Sequence, residues 1–165
     1  QGDLETGGDD QGEGDMAPAA RLLEGFETGL IHVGGCADTQ LYAYNETGDT
    51  ALGFFTSGPL YRATAEGSVE ETLDAASGDF TLKVEIGVDV HVNYCTDALM
   101  VLDIWSTYEA ISGQAVLSME VMLGGPDGEA DLQLIDVLLV NELGHEVLLE
   151  SFVMEDVWVY SFWGG

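Results

Sequence analysis

The sequence has very few basic residues. Its 165 residues include 31 Asp and Glu but only three Lys and Arg, which gives a formal net charge of −28 at pH 7. Binding to nucleic acid or to an anionic lipid surface needs clustered Lys and Arg against phosphate groups. The composition therefore excludes nucleic acid as a partner. Two explanations of the acids stay open, namely a solvating coat and carboxylates that chelate Ca²⁺.

The sequence also lacks a long apolar run. No stretch approaches the ~20 apolar residues that span a bilayer as a helix, so no transmembrane segment is predicted. The hydrophobic content of 46% nevertheless suits a packed domain. The chain begins at Gln1 with neither Met nor an apolar leader. A processed protein starts in this way, so we expect export.

Cysteine is scarce, with only Cys36 and Cys95 present. The two residues are not in CxxC spacing and no Cys/His cluster accompanies them, which disfavours a zinc site. An even number of cysteines in an exported chain favours a disulfide. Closing so long a loop would stabilise the fold by roughly 4 kcal/mol on the chain-entropy model. We therefore predict a Cys36–Cys95 disulfide.

The N-terminal segment differs in composition from the rest of the chain. Residues 1–16 hold five glycines and six acids and almost no apolar side chain. Burial cannot offset the entropy cost of ordering such a segment, so it is predicted to be a flexible acidic spacer. A lipid-modified cysteine upstream of Gln1 would tether such a spacer to a membrane. Residues 17–165 are predicted to form a single domain.

Most of that domain has the period-2 alternation of β-strands. In FTLKVEI (80–86) and VDVHVNY (88–94) the apolar residues fall on even positions. A three-residue loop, 87–89, would join the two as a hairpin that pairs Ile86 with Val90.

Other local signals complete the prediction of the fold. A switch of apolar parity near Ile135–Asp136 indicates a β-bulge. Pro59 and Gly67 suit the two ends of one short helix within residues 58–67. About eight short strands with regularly spaced turns predict an all-β fold, an antiparallel β-sandwich, with a β-barrel as the alternative.

Two groups of side chains are candidates for ligand binding. Asp89, His91 and Asn93 share the polar face of a predicted strand, where a hydrated surface is typical. The functional alternative is a shallow patch that binds a cation or a sugar. The aromatic C-terminus is typical of core, but Trp158 and Tyr160 would form a sugar-stacking or partner-binding patch if they face outward.

Calcium is the candidate cation, because it prefers oxygen ligands. Two loops offer oxygen ligands at alternate positions, although neither matches the EF-hand pattern, and ordinary turn chemistry explains both equally. The residues concerned are Asn45, Thr47 and Asp49 in the first loop and Asp127, Glu129 and Asp131 in the second.

The chain lacks the motifs of common catalytic sites. No GxSxG, HExxH or P-loop sequence occurs, and the three histidines are dispersed along the chain. No histidine closely follows Cys95, so a blue-copper site is rejected. No catalytic residue, no enzyme activity and no cofactor other than the candidate calcium are predicted.

The stretches GCADTQLYAYNETGDTALGFF and NYCTDAL and the ending FWGG resemble small exported proteins of myxobacteria and similar marine or soil bacteria. The resemblance covers roughly residues 30–165. It implies bacterial export and a disulfide, and it carries no activity over to any residue.

These observations predict an exported, non-enzymatic module that acts as an interaction or structural protein, either extracellular, periplasmic or on the bacterial cell surface. Its partner is expected to be a protein or a glycan. The alternatives are a small-ligand-binding domain for calcium or carbohydrate and a self-associating subunit of an extracellular assembly.

Overall fold

The computed structural model describes residues 25–36, 39–96, 100–121 and 127–160. The predicted spacer, residues 1–16, lies outside the described residues. Within them are eight β-strands, one α-helix and two short 3-10 helices. The α-helix is α1 (Pro59–Glu66), and the 3-10 helices span Phe26–Gly29 and Val90–Asn93. The strands are β1 (Leu30–Cys36), β2 (Gln40–Asn45), β3 (Thr50–Phe55), β4 (Ser68–Asp74), β5 (Thr81–Val88), β6 (Asp103–Val121), β7 (Gly128–Asn141) and β8 (Glu146–Tyr160).

The strands form one sheet that closes on itself. Their order is β4-β6-β5-β3-β2-β1-β8-β7, and β6 also pairs with β7, so seven strands form a closed barrel with β4 beside β6. The all-β class, the number of strands and the short helix are confirmed. The two-layer sandwich is wrong and the barrel alternative is correct. The physical reason is that the first strand, β1, pairs in parallel with the last, β8, which joins what would otherwise be two sheet edges.

Alternate residues of the barrel strands form one apolar core. Leu82, Val84 and Ile86 of β5 are almost completely buried, as the alternation in FTLKVEI predicts. Leu117 and Met119 of β6 are likewise buried in the same cluster. Burial of each such side chain stabilises the fold by about 1.5–3 kcal/mol.

The predicted β-bulge is confirmed at Asp136. Leu134 is buried before it and Val137 after it, so the inward parity changes there, and the β6–β7 register shifts at the same point. Asp136 has a φ of 50°. Opposite it, Gly113 has a φ of 117°, and a Cβ at that position would lie 2.5 Å from Val137 Cα. Only glycine fits both the left-handed backbone and this close approach.

The short helix is confirmed with the bounds that its sequence indicates. Helix α1 begins at Pro59, ends at Glu66 and is capped by Gly58 and Gly67. Ala63 points inward and is fully buried in the barrel core. In the described part of the chain, no helix is long and apolar enough to cross a membrane.

The predicted hairpin at 87–89 is wrong. The chain leaves β5 at Asp89, which has a φ of 50°, and continues as the 3-10 helix Val90–Asn93 rather than as a returning strand. Ile86 pairs with Thr50 of β3 and Ser106 of β6. Because both edges of β5 are already occupied, residues 90–94 have no free edge of β5 with which to pair.

Candidate ligand-binding groove

The disulfide fixes the segment after β5 against the outside of the barrel. Cys36, at the end of β1, is bonded to Cys95, which confirms the predicted pairing. The backbone N–H of Val90 donates to the carbonyl of Gly48 at 3.0 Å, which holds the start of the same segment. Residues 89–96 therefore form a strap across the outer face of β1–β3.

Aromatic rings fill the space between this strap and the sheet. Tyr42 and Tyr44 lie on the outer face of β2, because Leu41 and Ala43 on the other face are buried in the core. Tyr42 stacks on Tyr94 with ring centroids 5.6 Å apart. Tyr44 stacks between two imidazoles, with centroids 4.9 Å from that of His32 and 4.3 Å from that of His91.

Asp89, His91 and Asn93 lie in three different surroundings, and ligand binding by them stays a prediction. His91 packs on Tyr44, and among the described residues its buried Nδ1 has no hydrogen-bond partner. The side-chain amide of Asn93 donates to the carbonyl of Met100 and accepts from its N–H, both at 2.8 Å. Asp89 is exposed. The alternation that suggested a shared face does not survive in a 3-10 helix, which has three residues per turn.

Two glycines allow the tyrosines to lie flat on the sheet. Gly34 is directly opposite Tyr42, and a Cβ at Gly34 would clash with the Tyr42 hydroxyl. A Cβ at Gly53 would clash with the Tyr94 ring. The Tyr94 hydroxyl donates to Glu85 Oε2 at 2.9 Å. Burial, together with the Glu85 charge, raises the pKa of Tyr94 far above its usual value.

A groove of about 670 Å³ opens beside the strap, where β1 and β8 meet. Among the described residues these strands pair only at Gly35 with Val159 and Cys36 with Tyr160. The rings of Trp158 and Tyr160 are in edge contact, with centroids 6.1 Å apart. The walls and floor include Val33, Gly34, Tyr42, the disulfide, Asp156, Trp158 and Tyr160.

The groove offers both apolar surface and hydrogen-bonding groups. Trp158 is half-buried, and Tyr160 is 59% exposed. Burial raises the pKa of Tyr42, and nearby Tyr44 and Tyr160 raise it further. The Tyr42 hydroxyl therefore keeps its proton at neutral pH. The two phenols and the indole N–H can donate hydrogen bonds to a ligand, and the Asp156 carboxylate can accept them.

A β-bulge positions one wall of this groove. Asp156 has a φ of 55°, and the β7–β8 register shifts beside it. Its backbone N–H donates to Asp131 Oδ1 at 2.8 Å. Asp131, one of the predicted calcium ligands, therefore already accepts a hydrogen bond from the backbone. Glu129 is exposed and lies opposite Trp158, and Asp127, which immediately precedes β7, is half-buried.

The other predicted calcium loop is held by hydrogen bonds within the turn. The side-chain amide of Asn45 donates to Asp49 Oδ1 at 2.5 Å and accepts from the backbone N–H of Thr50 at 3.2 Å. Burial raises the pKa of Asp49, but hydrogen bonds from Asn45, Thr47 and Thr50 together lower it below its usual value. The carboxylate therefore stays ionised at neutral pH.

Calcium binding at these two loops stays a prediction. In the described ranges, no group of three or more His, Cys, Asp or Glu residues is placed so that it could hold a metal ion.

Sequence reasoning identified only part of the lining of the groove. Trp158 and Tyr160 were candidates, whereas Gly34, Tyr42 and Asp156 were not. The outward parity of Tyr42 was visible in QLYAYN, since Leu41 and Ala43 alternate with it. Its position beside Trp158 depends on the pairing of β1 with β8, which alternation cannot show.

No protein-family model, curated protein or solved structure matches this chain. The resemblance to exported myxobacterial proteins therefore stays a prediction. The ligand of the groove is therefore inferred from the residues that line it.

Proposed function

We propose that this protein is an exported, non-enzymatic binding module whose groove holds a neutral glycan. The observation that carries the proposal is the concave surface formed by Tyr42, Trp158 and Tyr160 beside the disulfide. A sugar ring has apolar C–H faces that pack on aromatic rings and hydroxyls that hydrogen-bond to phenol, indole and carboxylate groups.

The size and charge of the groove support this ligand class. Its volume of about 670 Å³ lies within the range of small-ligand sites, roughly 300–1,000 Å³. The net charge of −28 repels acidic polysaccharides, and Asp156 adds a negative charge in the groove itself. An uncharged glycan avoids that repulsion.

Other features support a location outside the cytoplasm. The Cys36–Cys95 disulfide is typical of oxidising compartments. The acids provide a hydrated surface that keeps a protein soluble. An acidic spacer at residues 1–16 would keep the module away from a membrane anchor. Bacterial export, which the sequence resemblance implies, is part of the same proposal.

Titration with soluble polysaccharides tests the glycan proposal. The full chain is titrated by calorimetry with neutral glucan, mannan and xylan and with an acidic polysaccharide of similar length. We expect binding to at least one neutral polymer and none to the acidic one. Trp158→Ala and Tyr160→Ala should each weaken that binding about 5- to 30-fold, because each removes an aromatic contact of ~1–2 kcal/mol.

Matched controls come from exposed aromatic residues outside the groove. Trp105 of β6 and Tyr61 of α1 are 50% and 81% exposed. Trp105→Ala and Tyr61→Ala should therefore leave the glycan affinity unchanged. Equal losses in the groove variants and the controls, or binding of the acidic polymer alone, would contradict the proposal.

Calcium is the second candidate ligand, supported by the ionised Asp49 carboxylate. If either loop binds Ca²⁺, thermal or urea unfolding at 100-fold excess over Kd should show about 2.7 kcal/mol of added stability. Sodium chloride at equal ionic strength should not reproduce this gain. Equal effects of the two salts would show that only charge screening is involved.

A further inference from the structure

Strand β8 has a long edge that no described strand covers. Along one side it pairs with β7 from Glu146, opposite Val140, to Val159, opposite Gly128. On its other side, the described residues provide partners only for Val159 and Tyr160. Residues 146–157 therefore have backbone N–H and C=O groups that no described strand pairs along this side, over about 40 Å. At the far end of this edge, Asp156 and Val157 line the groove and face β1 across it. Such an edge is a template for another strand.

The side chains along this edge are acidic and apolar and include no base. The strand sequence EVLLESFVMEDVWVY contains four acids and no Lys or Arg. All four acids are exposed, and so are Leu148 and Val153, at 55% and 48%. The acids of this strand are Glu146, Glu150, Glu155 and Asp156.

We infer that this edge of β8, which the described strands leave unpaired, docks an extended cationic segment of another protein, which adds to the sheet as a further strand. Backbone hydrogen bonds would supply affinity that is independent of sequence. Lysine or arginine side chains would lie against the acids of β8, and apolar residues between them would cover Leu148 and Val153.

Charge decides between this partner and a second copy of the chain. A dimer formed edge to edge through β8 would place the four acids of one copy beside the four acids of the other. Like charges on adjacent strands destabilise the pairing, whereas opposite charges stabilise it. The net charge of −28 adds a long-range repulsion between copies and a long-range attraction for a cationic segment.

The test uses the full chain, labelled with ¹⁵N, and a synthetic peptide that alternates lysine with valine. We expect saturable binding, slowed amide exchange along residues 146–157, and weaker affinity as the salt concentration rises. Two control peptides separate the contributions. One carries N-methyl groups on alternate backbone amides, and the other replaces lysine with glutamate. Neither should bind.

Two double variants separate the effect of charge on β8 from the effect of overall charge on peptide binding. Glu150→Gln with Glu155→Gln should weaken peptide binding about two- to thirty-fold, the effect of losing two cross-strand charge pairs. Glu66→Gln with Glu70→Gln removes the same total charge from exposed positions on α1 and β4 and should have a smaller effect.

Three results would overturn the inference. The first is equal binding of the N-methylated peptide, because strand pairing would then not be involved. The second is amide protection that lies outside β8. The third is a dimer on sizing whose interface maps to β8, which would make a second copy the occupant.

Discussion

Removing the disulfide should destabilise this barrel mainly through the unfolded chain. Cys36 and Cys95 are 59 positions apart in the sequence. For a closed loop of that length the chain-entropy model gives a stabilisation of about 4 kcal/mol. We therefore expect the Cys36→Ala/Cys95→Ala double variant to lose about 4 kcal/mol of unfolding free energy.

The native fold should change little, because other contacts also hold the strap. The N–H of Val90 donates to the Gly48 carbonyl at 3.0 Å, and the Tyr94 hydroxyl donates to Glu85. Unfolding by urea, followed by tryptophan fluorescence, measures the loss. The slope of free energy against urea should also rise, because an unlinked unfolded chain exposes more surface.

Reductant provides the control for this prediction. The wild-type protein in a reducing buffer should match the double variant, and the double variant should not respond to reductant. A loss below about 1 kcal/mol would refute the chain-entropy argument for this loop. Widespread changes in the amide spectrum of the folded variant would show instead that the crosslink shapes the native barrel.

Two further predictions concern single carboxylates. Asp131→Ala removes the acceptor of the Asp156 N–H, so it should lower the unfolding free energy measured in urea by about 0.5–1.5 kcal/mol and weaken glycan binding. The control Glu129→Ala should stay within about 0.5 kcal/mol of wild type. Equal effects of the two substitutions would contradict the role assigned to Asp131. The pKa of Asp49 is lowered by folding, so its contribution to stability should be complete above its usual value of 3.8 and should disappear as the pH falls through the lower folded value. The stability difference between wild type and Asp49→Asn should therefore shrink below pH 3.8, and a difference that is constant with pH would argue against that lowered pKa.

Features encoded by adjacent residues could be predicted from the sequence. Pro59 and Gly67 marked the ends of α1 because their backbone preferences act within the helix itself. The parity change after Leu134 located the bulge at Asp136 because side chains alternate strictly along a strand.

Features that depend on distant pairing could not be predicted in the same way. The pattern of residues 88–94 fits a strand, but β3 and β6 already occupy both edges of β5. Strand β4 has the polar sequence SVEETLD, which shows almost no apolar alternation, and none of its residues is fully buried. It forms because β6 is long enough to pair with β5 in its first half and β4 in its second.

The pairing of the first strand with the last is the event that produces both the barrel and the groove. Gly35 lets the two strands pack closely there, because a Cβ would lie 2.9 Å from Leu41 Cδ2 and 3.0 Å from Val159 Cγ2 and these side chains would have to shift. The same short pairing brings Tyr42 of β2 to the same groove as Trp158 of β8. A sandwich in which β1 and β8 stay apart would separate these two rings. The β1–β8 pairing, which side-chain alternation cannot predict, is therefore also what brings the residues of the candidate site together.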